Sequence, residues 1–274
     1  MPHLRLSLPG VCLIVVLAST CARAEGDLAS RLSAAAPAAN PAVLQLAARA
    51  ADCARRKGQL DDVASLAVID YSRPSSEPRL WVFDAAHGRL LFQELVAHGR
   101  GTGEKLAEKF SNREGSHMTS LGLFRTAETY QGSNGYSLRL HGLERGINDN
   151  ALARAIVMHG APYVSKALAA RIGRIGRSWG CPALRPEVAR SVIDTLKGGA
   201  AIFAYYPDTQ WLRQSRFLSC DATPAGHAPR KLRSAVRVDV RQVQDATGAS
   251  QFGLPNLVPR AGVEPARPFR VNGF

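Results

Sequence analysis

A cysteine stands between a glycine and a proline in the run RSWGCPAL, residues 177–184. Glycine lets a second backbone or a ligand approach closely, and the following proline restricts Cys181 to an extended conformation. A core cysteine needs neither neighbour, because a buried thiol packs as a small apolar group in any strand or helix. The run therefore predicts a turn that presents the thiol to a substrate. An inert core thiol is the alternative.

A thiol nucleophile needs a base that removes its proton and a third group that orients the base. Among the seven histidines of the chain, His159 closes the apolar run AIVMHG (155–160), where a strand end often faces a cleft. It lies 22 residues before Cys181 (181 − 159), and we predict that it is the base. His141 closes a second run, YSLRLHGL (136–143), and is a candidate for the cleft. A purely structural histidine is the alternative at both positions.

Other catalytic classes fit the chain poorly. Its histidines are scattered, and neither a His-x-x-x-His nor a Cys-x-x-Cys pair is present, so we expect no metal and no other cofactor. The run GRGTG (99–103) lacks the Lys-Ser/Thr pair that completes a phosphate-binding loop. In papain-like peptidases the cysteine precedes its histidine by a long stretch, whereas here the histidine comes first.

Short β-like runs bounded by turn residues dominate the chain from residue 63 onward. They cover residues 63–71, 79–85, 90–99, 120–126, 136–143, 155–160 and 200–207. One helix is predicted over residues 40–58, with Asn40 as its N-cap and Pro41 in its first turn, and a single later helix over residues 186–199. The pattern predicts a mainly β domain of the α+β class, with a helix in front and one after Cys181.

Two connections between these runs carry further expectations. The tetrapeptide AHGR (86–89) is predicted to be a hairpin turn, in which His87 is solvated. The polar stretch 99–118 is predicted to be a long loop, and a loop of that length inside a compact domain is often functional.

The first 24 residues resemble a bacterial secretory signal. A short basic start precedes the apolar run VCLIVVLA, and Ala22-Arg23-Ala24 has the small-x-small pattern that signal peptidase cleaves. The apolar run is shorter than the roughly 20 residues of a membrane-spanning helix, so we expect no stable membrane insertion after cleavage. We predict a periplasmic or secreted protein that starts at Glu25. Lipidation of Cys21 is the less favoured alternative, because the preceding residues match the lipidation box poorly.

Cleavage after Ala24 removes Cys12 and Cys21 and leaves Cys53, Cys181 and Cys220. Exported proteins usually pair their thiols, so an odd number is informative. A disulfide between Cys53 and Cys220 with Cys181 free is one interpretation. Three unpaired thiols is the other.

The chain has a formal net charge of +13, and about +11 (13 − 2) once the two basic residues of the signal are removed. Behind a secretory signal, the available polyanions are envelope components such as carboxylate-bearing cell-wall peptides and anionic lipids. The chain has no aromatic-interleaved RNA-binding signature and no zinc-finger spacing, so we expect no nucleic-acid partner. The sequence predicts no particular oligomeric state.

These patterns divide the chain into four parts. We expect a signal peptide at 1–24, an N-terminal helical segment at 25–59, a mainly β domain at 60–222 and a polar tail at 223–274. The last segment, GLPNLVPRAGVEPARPFRVNGF, has four prolines and no apolar period, so the tail is expected to be disordered.

Several ordered segments of the chain resemble the murein L,D-transpeptidase catalytic domain family. The family pattern is a His-Gly, a gap and then Ser-x-Gly-Cys, and here MHGAPYV precedes GRSWGCPAL. The stretches FSNREGSHMTSLGLFRT (110–126) and YQGSNGYSLRLHGLERGINDNALARAIVMHGAPYV (130–164) are also similar to this family. The resemblance covers roughly residues 60–206. It implies a β-sandwich of the L,D-transpeptidase type.

The resemblance also implies an activity. Cys181 would attack the carbonyl that joins the L-centre of diaminopimelate to the terminal D-Ala of a peptidoglycan stem peptide, giving a thioester. A second stem would resolve the thioester into a cross-link, and water would make the enzyme a carboxypeptidase. The implied catalytic residues are Cys181, His159, Ser178 and Gly180. His159 would deprotonate the thiol or hold it as an ion pair, Ser178 would position the histidine or the substrate, and the backbone amides of Gly180 and Cys181 would donate to the carbonyl oxygen. The candidate substrate contacts are Arg177, Trp179, Tyr136 and His141. A non-catalytic peptidoglycan-binding domain that keeps the fold is the alternative.

Overall fold

A computed structural model describes residues 27–62 and 64–220 of the chain. Within these residues it contains five helices and eight strands. The helices are α1 (Leu28–Ala35), α2 (Pro41–Arg56), α3 (Lys166–Ile172), α4 (Pro186–Leu196) and α5 (Thr209–Gln214). The strands are β1 (Ser65–Asp70), β2 (Leu80–Asp84), β3 (Arg89–Glu94), β4 (Gly122–Gly132), β5 (Gly135–Gly142), β6 (Val157–Gly160), β7 (Ala183–Leu184) and β8 (Ala201–Tyr205). The predicted signal peptide and the predicted tail at 223–274 lie outside the described residues.

All eight strands join edge to edge in the order β3-β2-β1-β8-β4-β5-β6-β7. The β1–β8 and β6–β7 pairs are parallel and the other pairs are antiparallel. The expected mainly β, α+β class is confirmed. Strands β1 and β8 at the centre are buried along almost their whole length, which agrees with their continuous apolar runs.

Helix α2 has the N-terminal signals that the sequence predicts. The Asn40 side chain accepts a hydrogen bond from the backbone N–H of Ala42 at 3.0 Å, and Pro41 occupies the first turn. One face is buried, including Leu46, Ala50 and Cys53. Cys53 forms a disulfide with Cys220 and Cys181 is a free thiol, so the structure adopts the first of the two cysteine interpretations. The disulfide joins α2 to the segment that follows α5.

The prediction of a single later helix was wrong, because α3 and α5 also form after β6. Helix α3 has an N-cap bond, in which Ser165 Oγ accepts from the N–H of Leu168, and ends at Gly173 with a φ of +73°. These signals are present in the sequence, but the helix has only seven residues and offers little apolar period to detect. Strand β4 continues to Gly132 as one arm of a hairpin with β5, whereas the apolar pattern ends at residue 126.

The irregular segments gather at the β6–β7 end of the sheet. Residue Gly99 forms an isolated parallel bridge with Ser178, and the N–H of Ala97 donates to the carbonyl of Ala183 at 2.8 Å. The segment after β3 therefore runs beside the segment that contains Cys181. The predicted long loop at 99–118 is present without helix or strand. Across the described ranges, no helix combines the length and apolar character needed to cross a bilayer.

Candidate active site

The turn before Cys181 is fixed by one serine side chain. Ser178 Oγ accepts a hydrogen bond from the N–H of Gly180 at 3.1 Å and donates to the carbonyl of Cys181 at 2.7 Å. Gly180 has a φ of +128°, a conformation that L-residues rarely adopt. A Cβ at this position would lie 2.8 Å from both Met118 O and Ile156 Cδ1. The turn thus requires glycine both for its backbone conformation and for the close contact with the neighbouring loop.

The sulfur of Cys181 lies against the backbone of the segment that leads into β6. The N–H of Val157 donates to Sγ at 3.5 Å, and the thiol donates to the carbonyl of Ala155 at 3.7 Å. Ala155 has a φ of +53°, a conformation that costs a non-glycine residue free energy and is often found at functional sites. Cys181 is only 9% exposed. Burial raises the pKa of its thiol above the usual value.

His159 lies on the strand next to the segment of Cys181. In the parallel β6–β7 ladder it pairs with Ala183, two residues after Cys181. The Nδ1 of His159 lies 2.9 Å from the carbonyl of Gly160. Because a carbonyl only accepts, Nδ1 carries the proton and Nε2 has the free lone pair in the neutral ring. Burial lowers the pKa of His159, which favours this neutral form.

A cation that the sequence analysis missed stands beside the thiol. Arg154 precedes Ala155 directly, and its guanidinium donates to acceptors of the 111–120 loop. These are Ser111 O (2.7 Å), Ser120 Oγ (2.6 Å), Ser116 Oγ (3.3 Å) and Met118 O (2.6 Å). In the described part of the chain no carboxylate lies within ion-pair distance of it. Its positive charge therefore acts on Cys181 and opposes the rise in the pKa of the thiol that burial causes.

Residues 177–182 form the turn that contains the predicted nucleophile Cys181, and we call it the nucleophile turn. Two tyrosines and a threonine complete its surroundings. Thr119 Oγ1 donates to the carbonyl of Gly180 at 3.2 Å and accepts from the N–H of Gly99 at 3.0 Å. Tyr71 is buried and Tyr163 is half-buried. The pKa of each phenol is raised mainly by burial, and a thiolate at Cys181 raises it further. Both phenols therefore stay protonated at neutral pH and remain hydrogen-bond donors.

A buried arginine and a buried histidine support the segment that pairs with Ser178. Arg79 donates through Nη2 to His98 Nδ1 at 2.7 Å and to the carbonyl of Val96 at 2.9 Å. His98 Nε2 then donates to the carbonyl of Gly103 at 3.2 Å. Burial, followed by the adjacent cation, lowers the pKa of His98 to about 3. The histidine is neutral at physiological pH and connects the sheet to the start of the long loop.

In the structure, Ser178 and Gly180 hydrogen-bond within the backbone of the turn that contains Cys181. The hydroxyl of Ser178 is used within the turn, where it positions the Cys181 backbone rather than contacting His159 in any described hydrogen bond. The N–H of Gly180, which the sequence analysis assigned to the oxyanion of a substrate, donates to Ser178 instead. In this structure the amide hydrogen of Gly180 is therefore bonded inside the turn.

Of the four predicted substrate contacts, two lie beside the nucleophile turn. Arg177 donates to Glu104 Oε1 at 2.6 Å and to the carbonyl of Gly103 at 3.1 Å, so its charge is paired within the protein. Trp179 is 47% exposed and stacks on the ring of His117, with 4.7 Å between ring centroids. Trp179 thus remains open to a ligand.

The structure does not bring Tyr136 or His141 to the thiol. Ser137 is the β5 residue that pairs with His159, so Tyr136 faces the other side of the sheet, and its hydroxyl donates to Asp194 Oδ1 at 2.7 Å. His141 lies four residues farther along β5, about 13 Å from Ser137 at the usual rise of a strand. It pairs with Arg125 across the β4–β5 ladder.

The titratable residues of the site offer no metal cluster. Across residues 27–62 and 64–220, no group of three or more His, Cys, Asp or Glu side chains is arranged to hold a metal ion. The arrangement that is present is a buried thiol, a neutral imidazole on the neighbouring strand and a nearby guanidinium without a carboxylate. These groups suit the attack of sulfur on a carbonyl carbon.

Comparison with known proteins finds one family model and several solved structures that are similar to this chain. A family model described as an L,D-transpeptidase catalytic domain matches residues 35–205. Similar solved structures include an L,D-transpeptidase from Mycobacterium smegmatis (16% identity, TM-score 0.32, 52% of this chain and 59% of that one). L,D-transpeptidase 1 of Mycobacterium tuberculosis is similar at 16% identity and a TM-score of 0.30, over 52% of this chain and 62% of that one. An L,D-transpeptidase from Stackebrandtia nassauensis is similar at 15% identity and a TM-score of 0.32. The alignment covers 66% of this chain and 89% of that one.

The first of these alignments spans about three fifths of the solved structure, 59% of its length. No curated protein sequence matches the chain. The family model alone covers well over half of the chain and includes both Cys181 and His159. On this ground, the chain belongs to the L,D-transpeptidase catalytic domain family.

Proposed function

We propose that this protein is an exported, cysteine-dependent L,D-transpeptidase that acts on peptidoglycan stem peptides through a thioester on Cys181. The observation that carries the proposal is the environment of the thiol. The segment from Arg154 to His159 supplies a positive charge, a hydrogen-bond acceptor for the thiol proton, a donor to the sulfur and a base. A thiol that served only the core would need none of them.

The resting site holds a thiol and a neutral imidazole rather than an ion pair. Burial shifts the pKa of Cys181 upward and the pKa of His159 downward, and both shifts favour the uncharged forms. A bound peptide would exclude the remaining water and place its carbonyl carbon against the sulfur. Proton transfer and attack would then occur together, which is general-base catalysis.

In the first step, Cys181 Sγ would form a bond to the carbonyl carbon of the peptide bond to be cleaved. The thiol proton would move to His159 Nε2, while Nδ1–H stays bonded to the carbonyl of Gly160. The tetrahedral intermediate would collapse as the C–N bond breaks, and the imidazolium would give its proton to the leaving amine. The products of this step are a thioester on Cys181 and a free D-Ala.

The negative charge that develops on the carbonyl oxygen needs donors that are already in place. The N–H of Cys181 is not used by any other residue in the described hydrogen bonds, and the Tyr163 hydroxyl stays protonated near the sulfur. The Arg154 cation stabilises the thiolate-like state electrostatically. Of the two amides that the resemblance implies for this role, the Cys181 amide keeps it, whereas the Gly180 amide donates to Ser178.

In the second step, an amine of a second stem peptide would attack the thioester carbon. His159 would accept the proton of the amine, and the sulfur would leave and recover a proton. The product is a cross-link between two stems. With water as the acceptor, the same steps would release a shortened stem.

Two further observations support the cell envelope as the site of action. The disulfide between Cys53 and Cys220 fits an oxidising compartment such as the periplasm or the exterior of the cell. The predicted signal peptide agrees with this location. A cationic envelope protein of this family has anionic cell-wall peptides as its available partners, and we propose no nucleic-acid partner.

The test is product analysis with purified stem tetrapeptide. Wild-type protein should release D-Ala and give a cross-linked dimer, a shortened tripeptide, or both, while Cys181→Ala gives none of these. His159→Ala should slow release by about 10²–10⁴-fold, the usual contribution of a positioned general base. His87→Ala is the matched control, because His87 is an exposed histidine in the β2–β3 turn. Wild-type protein that binds stems but releases no D-Ala would favour the non-catalytic binding domain instead.

A further inference from the structure

Arg100, His117 and Trp179 form one stack next to the nucleophile turn, in which Arg100 and Trp179 are exposed and His117 is half-buried. The Arg100 guanidinium lies 5.2 Å from the centre of the Trp179 ring. Its Nε and Nη2 lie 3.1 Å and 2.8 Å from His117 Nδ1. His117 in turn stacks on Trp179, with 4.7 Å between centroids. We call these three residues the Trp179 stack.

The backbone attaches the Trp179 stack to the site on both sides. The N–H of Arg100 donates to the carbonyl of Ser178 at 2.8 Å, and Trp179 lies two residues before Cys181. His117 has a φ of +53°, and its carbonyl accepts from the N–H of Gly101 at 3.0 Å. These backbone contacts connect the two ends of the 99–118 loop, which carry Arg100 and His117.

The charge of Arg100 is not neutralised inside the protein. His117 accepts through Nδ1, so its ring is neutral, and burial followed by the Arg100 cation lowers the pKa of this histidine. Among the described residues no carboxylate lies within ion-pair distance of Arg100. A guanidinium has five N–H donors, and the contacts with His117 leave several of them open to solvent. The Arg100 guanidinium is therefore exposed, held by His117 and available to bind an anionic ligand.

The neighbouring arginines differ from Arg100 in this respect. Arg177 and Arg174 both pair with Glu104, at 2.6 Å and 3.2 Å. Arg154 is enclosed by carbonyls and hydroxyls of the 111–120 loop. Arg100 is the member of this group that presents its charge to a ligand.

We propose that the Trp179 stack is a carboxylate-binding subsite, in which Arg100 binds a free carboxylate of the peptide whose carbonyl reaches Cys181. The planar fork of the guanidinium matches a carboxylate, and Trp179 supplies an apolar surface for the adjoining part of the peptide. The proposal rests on the proposed function, because that function makes a carboxylate-bearing peptide the substrate. Trp179 and His117 are the two side chains that contact the guanidinium and help to position it.

The test measures binding rather than turnover. In a Cys181→Ser background, the Kd of the full chain is measured by calorimetry for the stem tetrapeptide, for its C-terminal amide and for the form with the diaminopimelate side-chain carboxylate amidated. The two amides distinguish the two sources of carboxylate. We expect one amide to bind about tenfold more weakly than the free acid, the size of a charge-assisted contact. Equal Kd values for all three peptides, or no binding of any of them, would overturn the subsite.

Variants of the stack assign the discrimination to Arg100. Arg100→Gln should abolish the preference for the free acid, whereas Arg100→Lys should keep part of it. Arg213→Gln, which removes an exposed charge from α5, should leave the preference intact. If Arg100→Gln is unstable, Trp179→Ala offers a second route, since it should weaken the preference while the charge remains. A preference that persists in Arg100→Gln contradicts the proposal.

The outcomes for the subsite and for the proposed function are separable. If wild-type protein releases no D-Ala, the proposed function is refuted. Tighter binding of the free acid than of the amide would still show that Arg100 binds a carboxylate. Conversely, if wild-type protein releases D-Ala and binds the acid and the amides equally, that result supports the proposed function and refutes the subsite.

Discussion

The backbone nitrogen of Val157 lies 3.5 Å from the sulfur of Cys181. This contact joins the start of β6 to the nucleophile turn, two residues before the predicted base on the same strand. A single segment therefore supplies both the backbone donor to the sulfur and the residue predicted to accept its proton.

Reactivity of Cys181 should rise at higher pH than reactivity of a free cysteine. Burial raises the pKa of the thiol, and a free thiol has a pKa of about 8.5. Below the raised value the thiol is protonated and alkylates slowly. The rate of iodoacetamide labelling between pH 6 and pH 10 measures this directly. A midpoint well below that of a free thiol would show a preformed ion pair with His159 and would contradict the neutral resting state.

Arg154 should hold the thiol pKa below the value that burial alone would give. Removing the cation in Arg154→Gln should move the midpoint of Cys181 labelling to higher pH, because a nearby positive charge favours the thiolate. Arg154→Lys should restore part of the shift. Arg213→Gln is the matched control. An unchanged midpoint in a folded Arg154→Gln protein would limit this arginine to holding the 111–120 loop.

Gly180→Ala should impair the site more than the bulk of a methyl group suggests. Gly180 has a φ of +128°, and an added Cβ would lie 2.8 Å from Met118 O. We expect a cost of about 1–3 kcal/mol from backbone strain, together with loss of acylation as Cys181 moves. Gly146→Ala is a suitable control for strain alone, because Gly146 also has a positive φ, of 77°, but has nothing near its Cβ position. Equal activity in both variants would refute the packing argument.

Stability should fall as the pH drops below about 6.5, in part because of His98. The folded pKa of His98 is about 3, and the unfolded value is about 6.5. Between these values only the unfolded chain binds the proton, so the free energy of unfolding falls by about 1.4 kcal/mol per pH unit per histidine.

Denaturant unfolding at pH 7, 6 and 5 tests this contribution. His98→Asn keeps an acceptor for Arg79 and removes the titration, so its stability should depend less on pH than that of the wild type. The same slope in His98→Asn as in wild-type protein would show that His98 does not contribute.

Reduction of the Cys53–Cys220 disulfide should destabilise the fold. The bridge closes a loop of 167 residues, and removing such a constraint typically costs about 2–5 kcal/mol. Thermal unfolding with and without a reductant measures the loss, and Cys53→Ala should reproduce it without reductant. Cys181→Ala controls for the free thiol, since it should leave the effect of reductant unchanged.

Local sequence signals were sufficient for the nucleophile turn. The Gly-Cys-Pro arrangement predicted a non-helical turn, and the predicted base, His159, lies on the strand next to that turn. The class of the fold followed from short apolar runs between turn residues. Helix α2 followed from its cap and its apolar face.

Non-local contacts explain what the sequence did not predict. Arg154 meets acceptors that lie 34 to 43 residues away along the chain, in a loop without any period. Arg177 was assigned to substrate because it adjoins the turn, but its partner Glu104 is 73 residues distant. The hydrogen bond from the Gly180 amide to Ser178 Oγ was not predicted either. The sequence alone does not show that the serine side chain folds back onto this amide.

The most direct test of the account is to identify the residue that carries the acyl group. Wild-type protein is mixed with stem tetrapeptide, quenched in acid during turnover and digested with trypsin for mass spectrometry. The tryptic peptide of residues 178–190 should gain the mass of the acyl tripeptide, with Cys181 as the modified residue, and the adduct should be absent from Cys181→Ala. An acyl adduct on any other residue, or D-Ala release that continues in Cys181→Ala, would contradict the central claim.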